Sequence, residues 1–247
     1  MKYHNSVING FFTRKTPIFK LKMAKNNTYL LFFVILLFTK SAHFSQIPTL
    51  YNTLFEDEFY ADTLSKKWSI SESSNYSLTD QNGYIHLYCN SSVNQPNNLL
   101  YLTAKTNYLQ ATTTINFNPK INGEQAGICL FKNNENQVLF KLKKEDNENV
   151  LILQIKAPNQ SSKIQKDLVL DKYQNHLELK ITTFESNYYF NYRLKSNDLW
   201  EILDSCTINL LDYSNSPLQI GLFTSSDNQP TKKYAAFDLF RYYDLKH

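Results

Sequence analysis

Tyr234-Ala-Ala-Phe-Asp-Leu-Phe-Arg-Tyr242 reads as a strand, rich in aromatic and aliphatic residues and close to the end of a 247-residue chain. A strand this apolar must dock on something made earlier, because an unpaired strand leaves a row of bare N–H and C=O groups. The segment with the matching pattern is Thr53-Leu-Phe-Glu-Asp-Glu-Phe59, which repeats the same aromatic and acidic alternation. Pairing the two would remove two exposed sheet edges at once, and everything between them becomes a run of short strands and turns.

That run is legible from its period of two. Tyr84–Cys89, Leu99–Thr103 and Ala111–Phe117 alternate, Ala126–Phe131 reads as a buried strand, and Gln137–Leu142, Val150–Ile155 and Leu168–Leu170 follow. Leu177–Thr182, Tyr188–Arg193, Trp200–Leu203 and Leu218–Phe223 continue the pattern, with Asn197-Asp198 as a turn. Glycine is scarce, five in all, and turns such as Asn133-Asn-Glu-Asn136 rely on asparagine instead. Short strands at regular spacing with hardly a helical stretch predict an all-β sandwich of two antiparallel sheets. We expect one such domain over residues 46–247, without repeat or linker.

Residues 1–45 have a different character. Tyr29–Phe38 is an unbroken apolar run preceded by Lys20, Lys22 and Lys25 and followed by Ser41-Ala-His-Phe-Ser-Gln46, the layout of a signal peptide. The run is shorter than the roughly 20 residues that a membrane span needs. A cleaved leader is therefore expected, with Met23 as an alternative start, no membrane span after cleavage, and a secreted or periplasmic location. The leader also carries the basicity. The chain holds 26 Lys plus Arg against 22 Asp plus Glu, but seven of the basic and none of the acidic residues precede position 46, which leaves 19 − 22 = −3 for the rest. That balance offers nucleic acid no basic face from which to release counterions. The densest basic run, Lys141, Lys143 and Lys144, is followed at once by Glu145, Asp146 and Glu148, as in a solvated hairpin tip. Cys89, Cys129 and Cys206 each sit within an apolar strand pattern, where a buried free thiol is the default, and no CxxC or Cys/His spacing suggests zinc.

Phe55-Glu-Asp-Glu-Phe59 with Leu64 and Trp68, Gln125-Ala-Gly-Ile-Cys-Leu-Phe131, Tyr189-Phe-Asn-Tyr192 with Trp200, Ile220-Gly-Leu-Phe223 and Ala236-Phe-Asp-Leu-Phe-Arg-Tyr242 occur in an order that resembles a known family. It is the concanavalin A-like domain at the C-terminus of family 43 β-xylosidases and in related DUF1349-type proteins. The resemblance implies a concanavalin A-like jelly-roll sandwich and a link to xylan-type polysaccharide. It does not imply catalysis, because the acid and base carboxylates of those enzymes belong to a separate five-bladed propeller for which this chain leaves no room.

Local chemistry agrees. A glycosidase needs two carboxylates about 5 to 9.5 Å apart across a cleft. Glu56 and Glu58 alternate with Asp57 but lack the Glu-x-Asp-x-x-Glu spacing of glucanases with this fold, so no catalytic residue is expected. If the terminal strands lie side by side, Asp57 and Asp238 could hold a structural Ca²⁺, a cation that takes six to eight oxygens. Sugar rings stack on aromatic faces while their hydroxyls seek fixed polar groups. On that ground Tyr189, Asn191 and Arg193, which share one strand face, are the candidate ligand residues, while Tyr188, Phe190 and Tyr192 on the other face are expected in the core. Trp68 and Trp200 are read as packing. His86 and His176 are read as surface or satisfied, and no Gly-x-Ser-x-Gly or Gly-rich phosphate loop is present. The leading expectation is an exported, non-catalytic module that binds polysaccharide or oligosaccharide. The alternatives are a glycoside hydrolase working in a sheet cleft and a structural or protein-interaction module at the cell surface.

Overall fold

The alternating segments form strands in a computed structural model that describes residues 50–71, 75–91, 98–157, 163–208, 217–227 and 231–245. These residues belong to one compact unit, Pro48–His247. The expected leader and its Met23 start lie outside the described residues. In chain order the strands are β1 (Leu50–Asp57), β2 (Ser69–Ile70), β3 (Tyr76–Ser77), β4 (Ile85–Tyr88), β5 (Asn98–Thr103), β6 (Tyr108–Asn116), β7 (Glu124–Asn133) and β8 (Asn136–Glu145). They continue with β9 (Glu148–Lys156), β10 (Lys163–Val169), β11 (His176–Phe184), β12 (Asn187–Arg193), β13 (Glu201–Thr207), β14 (Gln219–Ser226) and β15 (Tyr234–Leu245). No helix among the described residues is long and apolar enough to cross a membrane.

The strands make two sheets. The eight-stranded sheet runs β13-β12-β11-β6-β15-β4-β3 with β1 also on β15, and the seven-stranded sheet runs β10-β9-β8-β7-β14-β5-β2. Turn residues fix several registers. Asp146 and Asn147 both have positive φ, 46° and 65°, the conformation that a two-residue β8–β9 hairpin requires and that Asp and Asn tolerate. At the β7–β8 turn, Asn133 Oδ1 accepts from the Glu135 amide and from Asn136 Nδ2, both at 2.9 Å. Asparagine thus supplies the turn geometry that glycine supplies elsewhere.

The core fills the space between the sheets. On β12, Tyr188, Phe190 and Tyr192 point inward, as expected, and Phe190 meets Phe140 of the opposite sheet edge-on at 5.7 Å. A buried Phe contributes about 1.5–3 kcal/mol. Trp68 sits edge-on to Phe55 at 5.1 Å and to Phe240 at 5.0 Å, which ties the loop after β1 to β15. Asp57 secures the same loop: its Oδ1 accepts from the Phe59 amide and its Oδ2 from Trp68 Nε1, each at 2.9 Å.

The two chain segments that opened the sequence reading do pair, antiparallel, with Phe55 opposite Tyr242 and Asp57 opposite Phe240. Their placement differs from the expectation that they close two edges. β15 is an interior strand, with β6 along one side and β4 and then β1 along the other. The side shared by β4 and β1 changes hands at a bulge between Phe237 and Leu239, and Asp238 is the extra residue. The three cysteines are free thiols, with Cys89 and Cys129 buried and Cys206 partly so. The expected hairpin tip also needs correction. Lys144 lies near the β8–β9 turn, but Lys141 is 6% exposed and donates from Nζ to Gln154 Oε1 at 2.8 Å.

Candidate functional site

Alternation along β11 decides the site. Leu177, Leu179 and Ile181 are buried in the core, so His176, Glu178, Lys180 and Thr182 leave on the outward face of the eight-stranded sheet. The register aligns neighbours beside them. Arg193, Glu178 and Thr114 form one row; Asn191, Lys180, Thr112, Arg241 and Glu56 the next; Tyr189, Thr182, Gln110 and Tyr243 a third. Tyr189, Asn191 and Arg193 therefore share the outward face as the sequence suggested, and Tyr189 is 41% exposed.

A depression of about 350 Å³ opens on this face, with Glu178, Arg193, Trp200, Asp238, Arg241 and Tyr243 among its walls. Glu178 is its most constrained group. Arg193 donates from Nε and from one terminal nitrogen to Glu178 Oε2 at 2.8 and 2.5 Å, while the Ser196 hydroxyl donates to Oε1 at 2.6 Å. His176 Nε2 lies 3.5 Å from Oε1. Burial alone would raise the Glu178 carboxyl, but His176, Ser196 and Arg193 outweigh it and hold the group at about 2. Trp200 packs beneath the cations, with Lys180 Nζ 4.2 Å and the Arg193 guanidinium carbon 4.6 Å from its ring centre. At the far wall Arg241 pairs with Glu56 at 2.9 Å.

Asp238 behaves oppositely. Burial at the bulge, then the charges of Glu58 and Glu178, push its carboxyl above the usual range, with His176 opposing. Tyr84 lies near it: burial, then Asp238, raise that phenol, while the Asn116 side chain opposes. The floor carries the hydroxyls of Thr112 and Thr114 from β6, while Thr113 between them turns to the core opposite Leu179 and Phe240.

The expected Asp57–Asp238 cation site does not form. Asp57 stands opposite the buried Phe240 and spends both oxygens on the Phe59 amide and the Trp68 indole, whereas Asp238 lines the outward depression. Among the described residues no group of three or more His, Cys, Asp and Glu side chains is arranged to hold a metal. His86 is not superficial: it is 2% exposed and stacks on Tyr234 at 4.1 Å, with Asp80 Oδ2 3.4 Å from its Nδ1. Sequence alone does not single out Glu178, Lys180, Arg241 and Tyr243. The Leu-Glu-Leu-Lys-Ile alternation already puts Glu178 and Lys180 together, but their joining Arg241 and Asp238 depends on a β6–β15 register with no sequence signature.

Comparison with known proteins matches residues 56–243 to the family described as the β-xylosidase C-terminal concanavalin A-like domain. No curated protein matches the sequence. Among solved structures, the GH43 BlXynB protein of Bacillus licheniformis superposes with a TM-score of 0.70 at 21% identity over 78% of this chain and 40% of that one. GH43B of a xyloglucan PUL in Bacteroides ovatus gives 0.67 at 20% over 80% and 40%. Xylan β-1,4-xylosidase of Bacillus halodurans C-125 gives 0.67 at 18% over 80% and 41%. The chain thus spans about two fifths of the length of these proteins.

Proposed function

Because this chain belongs to the family of β-xylosidase C-terminal concanavalin A-like domains, we propose that it is an exported, non-catalytic module that holds xylan-type polysaccharide on the outward face of its eight-stranded sheet. The observation that carries this reading is the depression itself, in which an aromatic ring, two arginines and a threonine floor are fixed around a space of about 350 Å³. Polar groups fixed beside aromatic surface suit sugar hydroxyls and C–H faces together. Export rests on the Lys-flanked apolar run before position 46.

The carboxylates support the non-catalytic reading. Glu178 and Asp238 have affinities for protons pushed in opposite directions, a pattern that favours a hydrolase with one acid and one base. Against that, Arg193 and Ser196 donate three hydrogen bonds to Glu178, and its carboxyl is held at about 2, which makes it a weak base and a weak nucleophile. Calorimetry and affinity electrophoresis of the full chain against xylan, arabinan and β-glucan test the proposal. Binding to xylan that weakens at least fivefold in Trp200→Ala supports it, and no heat or retardation with any of the three ends it. Release of reducing sugar that disappears in Asp238→Asn would replace it with the hydrolase reading.

A further inference from the structure

Of the three cations Lys180, Arg193 and Arg241 on the outward face, Lys180 has no carboxylate partner among the described residues, although the Asp238 carboxyl shares that face. Arg193 is paired with Glu178 and Arg241 with Glu56. Lys180 lies next to both: one step along β11 from Glu178, and in the same row as Arg241 across Thr112. Among the described residues no carboxylate comes within ion-pair distance of its ammonium, which is instead held over the Trp200 ring. The groups that act on its charge are its own burial and then the like charge of Arg193, and both make the ammonium harder to keep. Lys180, Arg193 and Glu178 together carry a net charge of +1, in a place where water is partly excluded.

We infer that the sugar chain held here carries a carboxylate and that Lys180 receives it, an inference that rests on the carbohydrate reading above and narrows it to uronic-acid-bearing oligosaccharides. Such an anion would give Lys180 the partner that Arg193 and Arg241 already have. Asn191, opposite Lys180 on β12, and Thr112, opposite it on β6, stand on either side to hydrogen-bond the ring bearing that acid. Exposed Tyr189, one row away, offers an aromatic surface for the next ring. A carboxylate fits better than a phosphate or sulfate. Those groups are usually met by several free cations or a cradle of backbone N–H groups, and here a single ammonium stands beside an amide and a hydroxyl.

Titration calorimetry on the full chain tests this with four probes: xylotetraose, glucuronic-acid-substituted xylotetraose, the same compound with its carboxyl reduced to an alcohol, and free glucuronate. The substituted oligosaccharide is expected to bind about tenfold more tightly than its reduced form, the size of one charge-assisted hydrogen bond. Raising salt should shrink that ratio. In Lys180→Met the ratio falls close to one, while Lys180→Arg, which keeps the charge, restores most of it. Equal affinity for the acid and its reduced form overturns the inference and leaves the carbohydrate reading standing, as does a preference that survives Lys180→Met. Free glucuronate binding as tightly as the oligosaccharide overturns it too, by revealing an anion site indifferent to the sugar chain. No binding of any probe takes down both.

Discussion

The outward faces of the two sheets are made by the same alternation of residues, yet one is a charged depression and the other an apolar seam. On the seven-stranded sheet the outward residues Leu99, Cys129, Leu139 and Phe223 form a second apolar cluster, with Tyr101 and Phe131 packed against it. On the eight-stranded sheet the equivalent positions hold Glu178, Lys180, Arg193 and Arg241. The seam also contains two glycines at points of close backbone approach. A Cβ on Gly221 would come within 2.1 Å of the Leu100 carbonyl oxygen, and one on Gly127 within 2.2 Å of that of Phe140. Alternation therefore decides which side chains leave the core. What each face becomes depends on backbone spacing in one sheet and on charge pairing in the other.

The largest test of that difference is Gly221→Ala. Its methyl group meets backbone, not a movable side chain, so the strand must shift, and we expect a loss of about 3–5 kcal/mol in urea melts or no folded protein. Cys129→Ser comes next on the same face. The thiol is fully buried and donates only weakly to the Gly221 carbonyl at 3.6 Å, so a hydroxyl there should cost about 1–2 kcal/mol in the same melts.

The charged face should respond to pH instead. Arg193→Met leaves Glu178 buried without its cation and should lower stability by about 1–2 kcal/mol at pH 7, less than for a fully buried pair because Arg193 is partly exposed. The Glu178 carboxyl is held down at about 2 against an ordinary value of 4.5. Its contribution is thus complete above the ordinary value and is lost as pH falls through about 2. Thermal melts from pH 6 to pH 2 should show Glu178→Gln less stable than the parent at the top of that range, with the two converging toward its bottom. Asp238 has the opposite sign: its raised carboxyl makes the ionised form a burden above its folded pKa. Asp238→Asn should therefore raise the melting temperature at pH 7 by about 1–2 °C and bring no gain at pH 3. Insensitivity of both variants to pH would mean that the two faces differ in composition alone.

Much of this could be read from the chain. The strands, the core set Tyr188, Phe190 and Tyr192, the outward set Tyr189, Asn191 and Arg193, and the pairing of Phe55 with the last strand all follow from period-two patterns. Depth was harder to read. His86 and Lys141 look like surface residues in sequence, but neighbours supplied by other strands cover them. The Asp57–Asp238 pairing failed for a related reason. Closeness of two strands does not say which face each residue takes, and the bulge at Asp238 reverses the alternation on β15. The depression was the least legible part, since it joins side chains of β11, β12, β6 and β15 that are far apart in the chain.

The interior place of β15 bears on how the molecule is made. Every other described strand precedes it, yet β6, β4 and β1 meet only through it. During synthesis the eight-stranded layer stays in unjoined pieces until β15 has left the ribosome, and nearly all of its remaining closure is long-range, the slow kind. Until β15 arrives, the pieces of this layer are unzipped apolar ribbons, a state suited to handling by chaperones.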